Sequence, residues 1–89
     1  MSRRPRRPPH EIYCEILETI QSRGSCNITR ISYSANLPVD RAKKAVEHLV
    51  DNGFLREEIR EPNREYGITQ KGWELLHALR TVTKYLGGQ

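Results

Sequence analysis

The chain has 89 residues, with 15 Lys+Arg against 11 Asp+Glu and 36% apolar residues. That is one small domain, near the lower limit at which a hydrophobic core is stable alone, so self-association is expected. No apolar run is long enough to span a membrane, no apolar stretch behind the charged N-terminus makes it a secretory signal, and two cysteines make no disulfide framework, so a small cytoplasmic module is expected.

The net charge of +4 is unevenly placed. Residues 1–9, MSRRPRRPP, carry Arg3, Arg4, Arg6 and Arg7, which account for all of it. With three prolines and no apolar residue beyond Met1, this arm has nothing to bury and is expected to be disordered. In the remaining chain the charges balance overall, but Arg23, Arg30, Arg41, Lys43 and Lys44 cluster against a single acid, Asp40, while residues 45–65 are net acidic. An arm and one interior segment are therefore basic, a located electrostatic footprint.

Taken in order, residues 10–23 place Ile12, Tyr13, Ile16, Leu17 and Ile20 on one helical face, with Glu11 and Glu15 early, Arg23 late and Gly24 as a stop. Residues 25–28 supply at most a short strand. Residues 29–35 read as a brief helix capped by Asn27 or Thr29, with Ile31 and Ala35 inward. Asn36, Leu37 and Pro38 make a turn, because a residue preceding proline is driven out of the helical region. A third helix over residues 38–52 follows, with Val39, Ala42, Val46, Leu49 and Val50 inward and Gly53 as its terminator. Residues 54–60 and 65–68 read as two strands of a hairpin around a turn at 61–64. Thr69 caps a last helix over residues 70–86, with Leu75, Leu76, Leu79, Val82, Tyr85 and Leu86 as apolar positions. The fold class is mostly α with a small β-hairpin, in one domain over residues 10–86.

Three runs carry a resemblance. TRISYSANL at 29–37, LVDNGFL at 49–55 and YGITQKGWELL at 66–76 are similar to the second helix and turn, the third-helix exit and the wing-to-last-helix entry of small archaeal winged helix-turn-helix regulators. The similarity covers residues 10–86. It implies a three-helix core with a β wing, binding to double-stranded DNA, and in some members dimerisation through the last helix. The chain departs from the family in a shorter last helix and an acid-rich wing.

In such a domain the third helix enters the major groove. Its outward candidates are Asp40, Arg41, Lys43, Lys44, Glu47 and His48, with Arg41, Lys44 and His48 on one face. Thr29 and Arg30 start the second helix and are candidates for a phosphate; Tyr33 either reaches a phosphate or covers the core. Arg60 and Arg64 either enter a minor groove or pair with Glu57, Glu58, Glu61 and Glu65. The arm's Arg3, Arg4, Arg6 and Arg7 either reach the minor groove or attract any polyanion.

Leu79, Val82, Thr83 and Leu86 continue a stripe past the expected reach of the core, which suits an antiparallel second copy; the alternative is that the last helix folds back along the first. Cys14 and Cys26 read as free thiols, with a disulfide as the alternative. His10, His48 and His77 fall on three helices without ligand spacing, and no nucleophile–base pair or phosphate loop is visible. No metal, cofactor, small-molecule ligand or catalysis is expected. The expected function is a DNA-binding regulator or nucleoid-associated protein, and the alternative is a winged helix used as a protein-interaction module.

Overall fold

The computed structural model describes residues 8–86. Its elements are α1 (Pro9–Arg23), β1 (Ser25–Asn27), α2 (Ile28–Ala35), α3 (Val39–Asp51), β2 (Leu55–Arg60), β3 (Asn63–Ile68) and α4 (Gln70–Leu86). The expected order holds. Helix α1 begins at Pro9, so this proline belongs to the helix rather than to the arm. Proline suits a first helical turn because its missing N–H would have had no partner there. The other arm residues expected to be disordered, apart from Pro8, lie outside the described residues.

The local signals act where the sequence has them. The Asn27 side chain accepts from the Arg30 N–H at 2.9 Å and caps α2. Asn36 takes a left-handed conformation with φ 56°, and Gly53 follows α3 with φ 81°. The Thr69 hydroxyl accepts from the Gly72 N–H at 3.0 Å and donates to the Gly53 carbonyl at 2.6 Å, tying the start of α4 to the end of α3.

The hairpin is part of a larger sheet. Strand β1 pairs antiparallel with β3, Cys26 opposite Tyr66, so the order is β1-β3-β2. The turn is shorter than expected, with β3 starting at Asn63 opposite Arg60.

The core takes Ile16, Leu17 and Ile20 from α1, Ile31 from α2, Val46 and Leu49 from α3, and Leu76 from α4, all essentially inaccessible. Each large side chain buried this way contributes about 1.5–3 kcal/mol. Val39, expected inward, is instead exposed. Leu37, in the turn before α3, is buried in the core.

Leu79 is a second correction. It is only 9% exposed and belongs to the core, because α4 lies against α1 and Arg80 Nε reaches Glu18 Oε2 at 3.1 Å. The fold-back alternative thus accounts for Leu79. It does not account for the rest of the stripe: Val82 is 39% and Leu86 73% exposed, with Tyr85 beside them also in solvent. Thr83 is half-buried, and its hydroxyl has no hydrogen-bond partner among the described residues. Cys14 and Cys26 are free and buried, which removes the disulfide alternative, and burial pushes both thiols above their ordinary pKa. Among the described residues no helix is long and apolar enough to cross a membrane.

Candidate functional site

The faces of α3 follow from its buried residues. With Ala42, Val46 and Leu49 against the core, the opposite stripe is Asp40, Lys44, Glu47 and Asp51, all exposed at i, i+4, i+7 and i+11. Arg41 and His48 sit on one flank of that stripe and Lys43 on the other. Lys44 is thus the one cation on the face directed squarely away from the core. Of the three carboxylates beside it, Asp40 and Glu47 face outward as their spacing predicts, and Asp51 joins them at the end of the helix.

Arg41, Lys43 and Lys44 are exposed, as are Thr29 and Arg30 at the start of α2. None of these four cations has an ion-pair partner among the described residues. Arg30 lies beside Arg23 around a small polar pocket with Ser25, Asn27 and Glu65. Arg23, the first cation of the basic segment in the sequence, closes α1 and is brought back beside α2 by the turn into β1. Tyr33 is 88% exposed, so it does not cover the core. His48 leans toward α1, its ring stacked on Tyr13 with centroids 5.4 Å apart and planes 17° apart.

The wing arginines are in a different state. Arg60 lies 3.3 Å from Glu58 and 4.0 Å from Glu65, and Arg64 lies 2.9 Å from Glu57. Arg56 makes a 2.7 Å pair with Glu58 and donates to the Ile68 carbonyl at 2.8 Å. It lies across β3 at Gly67, where a Cβ would stand 3.1 Å from the guanidinium. The hydrogen bond from Arg56 is the main cause holding the Glu58 carboxyl below its ordinary pKa, with the charges of Arg56 and Arg60 adding to it. Exposed pairs of this kind add little stability, but they neutralise the wing. The structure therefore takes the pairing alternative for Arg60 and Arg64. Burial, followed by the nearby Glu57 charge, raises the Tyr66 pKa.

Among the described residues, no group of three His, Cys, Asp or Glu is placed to hold a metal ion. The site is an open, charged surface.

The winged helix-turn-helix family profile matches residues 6–86. Among solved structures, the chain is similar to Sso10a-2, a DNA-binding protein from Sulfolobus solfataricus, at 30% identity and a TM-score of 0.83, covering 89% of this chain and 81% of that one. It shares its fold with the transcriptional regulator BldR from Sulfolobus solfataricus, at 17% identity and TM-score 0.73, over 89% of this chain and 62% of that one. It also shares it with a MarR family transcriptional regulator from Silicibacter pomeroyi, at 18% identity and TM-score 0.71, over 86% and 56%. The chain thus spans little more than half the length of these last two regulators. No curated protein matches the chain.

Proposed function

The chain belongs to the winged helix-turn-helix family, and from that premise we propose that it is a double-stranded DNA-binding protein, acting as a homodimer in the cytoplasm as a transcriptional regulator or nucleoid-associated protein. The observation that carries this reading is where charge is left unpaired. Arg30 on α2 and Arg41, Lys43 and Lys44 on α3 are exposed and have no ion-pair partner among the described residues, while the wing arginines are held by glutamates. Unpaired cations are free to replace counterions on phosphates.

In this reading α3 enters the major groove with Lys44 toward base edges and Arg41 and Lys43 toward the two groove walls. Thr29, Arg30 and the Tyr33 hydroxyl meet phosphate beside the α2 N-terminus. His48, stacked on Tyr13, holds an edge contact. Arg60 and Arg64 contribute less, because each must give up a carboxylate to take a phosphate. Arg3, Arg4, Arg6 and Arg7 add salt-dependent affinity from the arm. Sso10a-2, described as a DNA-binding protein, supports the reading.

The dimer contact is the exposed end of α4, Val82 and Leu86 with Thr83 between them and Leu79 beneath. The protein binds rather than catalyses.

The test is titration with duplex DNA at low and moderate salt. Binding that weakens steeply with salt is expected; affinity weaker than millimolar at low salt, or indifference to salt, removes the reading. One observation favours a second reading as a protein-interaction module: Asp40, Glu47 and Asp51 line the outward stripe of α3, beside a neutralised wing. Such a module leaves DNA unbound in the same titration.

A further inference from the structure

Between the first turns of α1 and the first half of α3 runs an open furrow of about 520 Å³. Its walls are Pro9, Ile12, Tyr13, Leu37 and Ala45, and its charged groups are Arg41 and Lys44. Among the described residues no carboxylate lines it, and its one neutral polar group is the Tyr13 hydroxyl. Neither cation has an ion-pair partner among the described residues.

We propose that this furrow binds an acyl-chain carboxylate of the medium-chain fatty-acid class, and that the occupant competes with DNA for Arg41 and Lys44. The competition, though not the binding, rests on the DNA-binding reading above. The volume is that of small-ligand sites, which pair apolar walls with a few polar groups that fix orientation. Here the charged groups among the described lining residues are both cations, so they select an anion, and a carboxylate can take hydrogen bonds from both. The walls choose an aliphatic tail. Pro9, Ile12, Leu37 and Ala45 are aliphatic, and the one aromatic ring among them, Tyr13, has one face taken by His48.

Charge argues against the other occupants. The arm that precedes Pro9 holds four arginines and no apolar residue beyond Met1. It has the wrong polarity for the walls and the wrong sign for the rim. The exposed apolar end of α4 from a second copy would bring Lys84 with it.

The experiment is calorimetric titration of the whole protein with decanoate below its micellar concentration, alongside decanol and decyltrimethylammonium. Saturable decanoate binding at one per chain is expected, with the cationic and neutral amphiphiles binding at least about tenfold more weakly, as loss of charge-assisted hydrogen bonds requires. Arg41→Gln with Lys44→Gln should cost decanoate a similar factor. Ala45→Leu should also weaken it, by filling the furrow with no change in charge. Thermal unfolding reports whether each variant remains folded.

Equal binding of the three amphiphiles, decanoate affinity unmoved by the double Gln variant, or no binding at all overturns the site. So does an Ala45→Leu variant that sediments as a smaller assembly than the unaltered protein, since the furrow would then be an interface between copies. Saturating decanoate should release bound duplex. Duplex binding indifferent to bound decanoate overturns the competition. Decanoate binding as expected in a protein that never binds duplex leaves the site standing and removes the DNA reading.

Discussion

A Cβ built on Gly72 would overlap the carbonyl oxygen of Phe54, so the first turn of α4 rides directly on the backbone that leads into the wing. The Thr69 N–H donates to that same carbonyl at 3.2 Å. The contact fixes the angle between α4 and the sheet, and with it the line along which α4 meets α1.

Gly72→Ala should therefore destabilise the domain, although alanine is the better helix former. Overpacking against immobile backbone costs at least about 1–3 kcal/mol. Urea unfolding checks it: a lower midpoint with an unchanged slope is expected, and an unchanged midpoint would mean that α4 docks elsewhere.

Arg41→Ala and Lys44→Ala should each weaken duplex binding and reduce the salt slope by about one phosphate contact. Arg60→Ala and Arg64→Ala should have smaller effects, since Glu58 and Glu57 already hold those side chains. A wing variant that loses more affinity than either α3 variant would reverse this assignment.

Removal of residues 1–7 should lower affinity for every sequence alike and flatten the salt dependence, by up to about four contacts at roughly 0.9 each. Comparison of specific and scrambled duplexes measures it. A truncated protein that binds as tightly as the whole one shows that the arm touches no phosphate.

Glu58 should make stability depend on pH in acid. Its carboxyl lies below the ordinary value of 4.5 because Arg56 donates to it. A carboxyl with a lowered folded-state pKa contributes stability that is complete above its unfolded pKa and disappears as pH falls through the folded one. Urea unfolding of the unaltered protein and of Glu58→Gln from pH 6 to pH 3 should show a difference that closes toward the acid end. A constant difference would show that the glutamine acts through packing.

The dimer predicts that Val82→Glu with Leu86→Glu gives a folded monomer with weaker DNA binding. Leu79→Glu is not a clean test, because Leu79 belongs to the core of a single chain and its charge would unfold the domain. Sedimentation of the unaltered protein as a 10.4 kDa species at tens of micromolar would rule the dimer out.

Much of this was legible from the residues alone, and what was legible is local. The cap at Asn27, the turn before Pro38, the stop at Gly53 and the cap at Thr69 each depend on a few neighbouring residues, so the order of elements could be read directly. The apolar spacing of α1 and α3 likewise picked out Ile16, Leu17, Val46 and Leu49 as core. The candidate cations Arg30, Arg41, Lys43 and Lys44 were nameable, because charge is written in composition.

What only the tertiary structure decided is which of several partners each residue meets, since those partners are distant in the chain. Leu79 belongs to the core because α4 lies along α1, and periodicity is the same whether a stripe meets its own chain or another. Arg60 and Arg64 are neutralised because strand register sets Glu65 against Glu58 and Arg64 against Ile59, a pairing that no single strand specifies. The furrow between α1 and α3 exists in neither helix by itself, so its apolar walls and two cations became a site only when the two helices were packed together.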